Sequence, residues 1–264
     1  PVGFLLGSET ASTISSRGVY KFPVKISNRA TYPDGQCSSY DTEYCSWSNL
    51  PDADFYMQDE RSWSIGQFVW TGFDYLGEPT PYDGYWPSRS SYFGICDLAG
   101  LPNDRYYLYR SQWNTEEHTI HLLPHWTWKD RKGQVTPVYC YTDYPSAELF
   151  VNGKSQGRLT KKANLQPSSS TTDKAMNEEL LDRYRLRWND VKYEAGELRV
   201  VAYDKDGKPA GIQIVKTAGA PVALRLEADR TTIQADGEDL AFITVSLVDA
   251  NGIEIPFASD DLSF

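Results

Sequence analysis

Two stretches of the chain carry side chains that could do chemistry together. Glu9 follows a short apolar run, Val2 to Leu6, and a break at Gly7-Ser8, and small and hydroxylated residues come after it. A buried strand that ends in glycine and then offers one carboxylate is how a parallel α/β barrel places a reactive group at its C-terminal mouth. A surface glutamate after an edge strand would read the same way. The second stretch is IGQFVWTGFDY, a β-branched and aromatic run that ends at Trp70-Thr71-Gly72, with Asp74 and Tyr75 just beyond. In a barrel the two strand ends would converge on one pocket. A carboxylate beside an indole suits a sugar: the apolar face of a pyranose stacks on the ring and the carboxylate acts at the anomeric carbon. Core packing is the ordinary alternative for Trp70. The aromatic loops around it, with Tyr40, Trp47, Tyr82, Tyr85 and Trp86, favour the saccharide cleft.

The elements that must position these groups alternate at first. Residues 1–8 read as a buried strand. Residues 21–50 read as a long irregular loop, of the kind that is usually functional or disordered. Pro51 opens a helix whose acid-rich first turn suits the helix dipole. The strand at Trp70 follows, then a Pro/Gly/aromatic loop over 77–91, then a helix over DRYYLYRSQW. This predicts two β/α units, with oversized loops on the side where parallel barrels carry their chemistry. From about residue 118 the pattern becomes strands with turn signals, TIHLLPHW, TPVYCYTD, SAELFVNG, ELRVVAYDKDG and AGIQIVKTAG, with Asn152-Gly153 and Asp206-Gly207 as hairpin turns. That is an immunoglobulin-like antiparallel sandwich. Residues 160–179 read as a mobile polar loop within it. Ala218 to Pro221 reads as a linker, and about four further strands would begin a second, truncated sandwich. The expected divisions are 1–116, 117–219 and 220–264.

Composition removes several classes. Lys and Arg number 26 against 36 Asp and Glu, giving a formal charge of −10. Nucleic acid and anionic membranes need clustered cations, so neither is expected as a partner. No apolar run reaches the ~18 residues of a membrane span. The chain opens and closes inside strand-like runs, so both ends are expected to be cuts through a longer protein. Cys37, Cys45, Cys96 and Cys140 have no zinc-type spacing; Cys37 and Cys45 could bridge a loop or remain free thiols. His118, His121 and His125 are interrupted by Pro124, and strand alternation sets His118 and His121 on opposite faces, so no metal site is predicted. No Gly-x-Ser-x-Gly elbow or Gly-rich phosphate loop occurs, and no cofactor is expected. The charged run from Asp182 to Arg187 reads as a solvated face.

The segments GSETASTISSRGVY, GQFVWTGFDYLGEPTPY, SSYFGICDLAGLPNDRYYLYRSQW and HLLPHWTW, followed by ELFVNGKSQG, resemble glycoside hydrolase family 2 in its bacterial β-galactosidase branch. The likeness runs in order from residue 1 to about 218. The part from about 222 resembles the additional immunoglobulin-like domain of these enzymes. The resemblance implies the C-terminal portion of a (β/α)8 TIM barrel followed by all-β sandwiches. It implies a retaining exo-hydrolase of terminal β-galactosides with a β-linked oligosaccharide or glycoside as substrate. Glu9 matches the nucleophile after the seventh strand and Trp70 the aromatic platform after the eighth; Asp74 falls in the same motif, with a structural hydrogen-bonding role as the alternative. Tyr40, Trp47 and Arg89 are the further substrate-binding candidates. The enzymes it resembles are exported, so a periplasmic or extracellular location is expected.

One departure limits the resemblance. The family's acid/base glutamate follows an Asn at the end of an earlier strand, which would precede residue 1. Asn177-Glu178, in the polar loop, follows no buried strand. The chain is therefore expected to hold the nucleophile half of a two-carboxylate site, to need the missing N-terminal part of the same enzyme, and to be inactive alone. The alternatives are a β-glucuronidase or β-mannosidase, and a non-catalytic carbohydrate-binding or spacer module. PSRSSYFG lacks the Asn-x-Lys that family glucuronidases carry there; Arg89 is its one cation. What separates enzyme from module is whether Glu9 and Trp70 face one region.

Overall fold

The computed structural model describes residues 3–28, 31–86, 89–167 and 173–263. Strand β1 (Leu5–Ala11) is followed by three short strands, β2 (Thr13–Ile14), β3 (Ser27–Asn28) and β4 (Glu43–Tyr44). Helix α1 (Pro51–Asp59) opens on its proline, strand β5 (Ser64–Trp70) follows, and then helix α2 (Asp104–Trp113). β1 and β5 pair in parallel as a two-stranded sheet, while β4 lies between β2 and β3 in a small sheet of its own. The parallel pair is not covered on its faces. Leu5, Leu6, Ile65 and Phe68 are all exposed, although parallel sheets ordinarily bury both faces. The expected barrel portion is thus represented by this pair and two helices, and a barrel is not shown among the described residues.

The sandwich comprises β6 (Ile120–Leu123), β7 (Val138–Thr142), β8 (Ser146–Val151), β9 (Lys154–Thr160), helix α3 (Asp173–Tyr184), β10 (Leu186–Trp188), β11 (Glu197–Tyr203) and β12 (Pro209–Lys216). Its two antiparallel sheets run β10-β7-β6 and β12-β11-β8-β9, an immunoglobulin-like arrangement. Alternation in β11 sends Leu198, Val200 and Ala202 inward against Leu149, Val138, Cys140 and Trp126. Asn152 and Gly153 both adopt positive φ, at 49° and 79°, as the tight β8–β9 hairpin requires.

β7 is buried on both sides. Val138 and Cys140 face the sandwich core, whereas Tyr139 and Tyr141 belong to a second core with Tyr40, Phe55, Leu108 and Leu180. α1 and α2 therefore pack against the outer face of the β10-β7-β6 sheet, and the sandwich is one wall of the preceding unit. α3 corrects the expected mobile loop over 160–179: it is a helix that lies on α1. Arg183 pairs with Glu60 at 2.7 Å and the Tyr184 hydroxyl donates to Asp59 at 2.7 Å. Glu178 lies within α3; residues 168–172 of the expected loop lie outside the described residues.

The charged run from Asp182 to Arg187 is also corrected, because Arg185 is fully buried. Its Nε donates to Asp52 Oδ1 at 3.0 Å and its Nη2 to Asp52 Oδ2, while Nη1 reaches the Tyr40 and Asp41 carbonyls and the Tyr141 hydroxyl at 3.3 Å. Beyond the sandwich, β13 (Pro221–Ala228) and β14 (Ile243–Asp249) form one antiparallel hairpin. The described residues there hold these two strands, not the four expected. No helix among the described residues is long and apolar enough to cross a membrane.

Candidate active site

The end of β1 is shaped by a bulge. Gly7 faces Gln67 and Thr10 faces Val69, so β1 carries one extra residue around Ser8 and Glu9. Bulges re-aim side chains at strand ends. Here the bulge folds Thr10 back, with its hydroxyl on the Gln67 side-chain oxygen at 2.9 Å. A Cβ at position 7 would stand 2.7 Å from Thr10 Cγ2, which accounts for Gly7. Glu9 is exposed on this bulge. Directly after it Ala11 and Ser12 take φ of 63° and 54°, a left-handed pair without glycine. Such backbone is costly and tends to cluster at functional sites. The Asn49 amide, donating to the Ala11 carbonyl at 3.1 Å, helps hold it.

The parallel register places Trp70 opposite Ala11, at the same end of the sheet. The indole is 39% exposed, and its Nε1 donates to the Tyr75 hydroxyl at 3.2 Å with the rings edge to face at 5.9 Å. Burial pushes the Tyr75 phenol above its ordinary range; the Trp70 N–H draws it down, and the carboxylates of Glu78, Glu9 and Asp74 push it up. The Glu9 bulge and Trp70 thus stand at the same end of the parallel pair, and Tyr75 is bonded to the indole. Because Tyr75 accepts from Trp70, its own O–H remains to donate. Tyr75 was missed as a site residue in the sequence, although its place five residues after Trp70 in the same motif marked it.

Asp74 is a brace. Its Oδ1 accepts the Gly94 amide at 2.8 Å and the Ser91 hydroxyl at 3.1 Å, tying the loop after β5 to residues 91–94. Burial raises its carboxyl above the ordinary range, and these donors partly counter that. The approach is so close that a Cβ on Gly94 would fall 2.2 Å from the Cys96 carbonyl and 2.3 Å from the Asp74 nitrogen.

Arg105, buried on α2, was also missed. Its Nη1 donates to the Thr13 carbonyl and its Nη2 to Ser15 Oγ at 2.5 Å, with longer contacts of 3.3 Å to the Phe93 and Tyr92 carbonyls. One guanidinium therefore fastens the loop after β1 to the loop after β5. Asp41 lies 3.3 Å from its Nε, and the Tyr141 hydroxyl donates to the same carboxylate from β7 at 3.0 Å. No local pattern announces such a residue, because its partners are distant in sequence.

The other candidates separate. Tyr40 is corrected: it is wholly buried, its hydroxyl donates to the Pro137 carbonyl at 2.6 Å, and its ring packs on Tyr139 at 5.1 Å, so no sugar can reach it. Trp47 is exposed two residues before Asn49, whose amide and carbonyl engage Ala11 and Thr13 at the β1 end. Arg89 is exposed over Tyr85, 6.0 Å from its ring; Pro87 and Ser88 of the same loop lie outside the described residues. Cys37 and Cys45 are buried in one cluster and no disulfide joins them. The histidines are dispersed: His118 bonds Asp143, His121 bonds Asp104 at 2.6 Å, and His125 stacks on Trp128. No group of three or more possible metal ligands occurs among the described residues.

Two family models match the chain, a domain of unknown function over residues 133–211 and the glycoside hydrolase family 2 C-terminal domain 5 over residues 224–264. The β-galactosidase BoGH2A of Bacteroides ovatus is 39% identical over 269 residues, covering 97% of this chain and 28% of its own length. The chain belongs to glycoside hydrolase family 2. A β-glucuronidase of Formosa agariphila is 27% identical over 202 residues, 73% of this chain and 18% of that protein. The crystal structure of a β-glycosidase from Bacteroides vulgatus superposes with a TM-score of 0.76 at 28% identity, covering 96% of this chain and 32% of that one. The chain therefore spans under a third of each of these proteins. Both a β-galactosidase and a β-glucuronidase stand among these relatives, so membership of the family leaves the sugar open.

Proposed function

We propose that this chain carries the nucleophile and aromatic platform of a retaining β-glycoside hydrolase, with β1 and β5 as adjacent strands of a barrel that other residues of the enzyme close. The observation that carries this reading is the placement of Glu9 on the bulged end of one parallel strand and of Trp70 at the same end of its neighbour, where Tyr75 bonds the indole. The uncovered Leu5, Leu6, Ile65 and Phe68 fit strands that find further cover in the longer protein. In this reading Glu9 attacks the anomeric carbon as an acid elsewhere in the enzyme protonates the departing oxygen. Water then opens the glycosyl-enzyme, with the former acid acting as base. The sugar stacks on Trp70, and Tyr75 holds the indole edge. The substrate is a terminal β-galactoside in an exported, periplasmic or extracellular enzyme.

A β-glucuronidase is the second reading. It is favoured by the Formosa relative. An activated 2-deoxy-2-fluoro-β-glycoside offered to the full-length enzyme tests the site, since the trapped sugar should be found on the Glu9 peptide by mass spectrometry. A label on another carboxylate would refute the assignment. Aryl β-galactoside and aryl β-glucuronide compared side by side decide the sugar. The 264-residue chain alone should turn over neither; rates near those of the full-length enzyme would sink the two-carboxylate reading.

A further inference from the structure

A separate cleft, which neither Glu9 nor Trp70 lines, is linked to Trp70 through Tyr75 and Ser91. It is a cavity of about 170 Å³ walled by Tyr32, Tyr82, Tyr85 and Tyr92, with Asp34 and Arg89 at its edges. Three of the four phenols are anchored. The Tyr82 hydroxyl donates to the Gln36 carbonyl at 2.5 Å and also receives the Tyr32 amide at 3.2 Å. The Tyr92 hydroxyl donates to the Gly35 carbonyl at 2.8 Å, and that of Tyr32 donates to the buried Glu43 at 2.5 Å. Tyr82 and Tyr92 stand 5.4 Å apart, tilted by 57°. Asp34 is neutralised by Lys21. These rings are fixed in place by the two loops, so little ordering cost remains for a ligand that stacks on them.

The fourth wall differs. Tyr85 is half exposed, and its one described side-chain partner is the Arg89 guanidinium. An exposed aromatic face with a planar donor beside it, set against rigid aromatic walls, is the chemistry that recognises a pyranose: apolar C–H faces on the ring, hydroxyls on the guanidinium. The cleft is also tied to the reacting region. Ser91 and Tyr75 bond each other in both directions, the Ser91 amide to the Tyr75 carbonyl at 2.6 Å and the Tyr75 amide to Ser91 Oγ at 3.2 Å. Tyr92 is the next residue, and its carbonyl accepts the Ser15 amide at 2.8 Å. The cleft wall at Tyr92 is therefore one residue along the chain from Ser91, which bonds Tyr75, the partner of Trp70.

From this arrangement we infer that the tyrosine cleft is a binding subsite for a second pyranose of the same substrate, stacked on Tyr85. The inference rests on the glycosidase reading above. An enzyme that removes a terminal sugar has no ring beyond it on the non-reducing side, so the second ring belongs to the leaving group. The preferred substrates are then β-linked oligosaccharides rather than simple glycosides.

The test compares a neutral β-linked disaccharide with an aryl β-glycoside of the same terminal sugar, using the full-length enzyme, its Tyr85→Ala variant and its Tyr85→Trp variant. Tyr85→Ala should lower the ratio of kcat/KM for disaccharide over aryl glycoside about tenfold, equivalent to ~1.4 kcal/mol, through KM. Tyr85→Trp, which keeps a stacking face, should hold the ratio. An unaltered ratio in Tyr85→Ala, or equal losses on both substrates, overturns the inference. Failure of the underlying reading looks different: the unmodified enzyme turns over neither substrate. Calorimetric titration with the disaccharide still decides in that case, because binding weakened in Tyr85→Ala upholds the cleft and equal binding in both proteins refutes it.

Discussion

Removing the Arg185 guanidinium should destabilise the protein more than most single changes. Arg185 and Asp52 are both inaccessible, and the contact is bidentate. In Arg185→Ala the Asp52 carboxylate stays buried without its partner, and the Tyr40 and Asp41 carbonyls and Tyr141 hydroxyl lose their donor. Breaking a buried pair from one side costs about 3–5 kcal/mol, which for a chain of this size lowers the melting temperature by roughly 6–20 °C. Differential scanning calorimetry at pH 7 reads this directly. The double variant Arg185→Met with Asp52→Leu removes both charges and fills the space, so it should melt above Arg185→Ala, though the two orphaned carbonyls keep it below the unmodified protein. The reasoning is refuted if Arg185→Ala loses less than about 1 kcal/mol, or if the double variant is no more stable than the single.

Two more outcomes can be checked. Gly94→Ala drives a methyl into the Cys96 carbonyl and the Asp74 nitrogen, so it should destabilise by ~1–3 kcal/mol and loosen the loop that carries Tyr75; a variant with unchanged melting and unchanged activity in the full-length enzyme contradicts the brace. Burial pushes Asp41 up to about 6, against the pull of Arg105 and Arg185. The folded state therefore favours its protonated form, and this contribution to stability is complete below about pH 4 and lost as pH rises through about 6. Thermal unfolding of the protein and of Asp41→Asn between pH 4 and 7 should show the unmodified protein losing ground to the variant as pH rises, and a constant difference would rule this out.

Elements specified by local chemistry were legible in the sequence. Pro51 and Asp104 mark the first turns of α1 and α2, and Asn152-Gly153 is a tight hairpin whatever surrounds it. Position in three dimensions was not legible. Tyr40 has the composition of a sugar-binding loop around it, yet Tyr139 and Tyr141 of β7 cover it from about a hundred residues away. The signal was present in VYCYT, where both alternating faces are apolar or aromatic and so both call for cover. α3 was hidden by the Ser/Thr/Pro-rich lead-in, although Leu180 and Tyr184 lie four residues apart and both join the core. Arg185 could not be placed from its charged neighbours, because Asp52 is 133 positions away. At the site the motif indicated Glu9 and Trp70, while the bulge at Gly7 and the Arg105 fastening depend on the parallel register of β1 and β5.

The two-sided burial of β7 also bears on how such enzymes can be recombined. A sandwich whose outer sheet face supplies Tyr139, Tyr141, His121 and Arg185 to its neighbour is not an interchangeable appendage. A chimera with a foreign sandwich would have to import partners for all three of Asp41, Asp52 and Asp104, or leave Asp52 without its counterion, Asp41 without the Tyr141 donor and Asp104 without His121. Exchange by domain shuffling should therefore be tolerated after β12, where the linker begins, and resisted between α2 and β6. The inherited unit is the segment from β1 to α2 together with its sandwich.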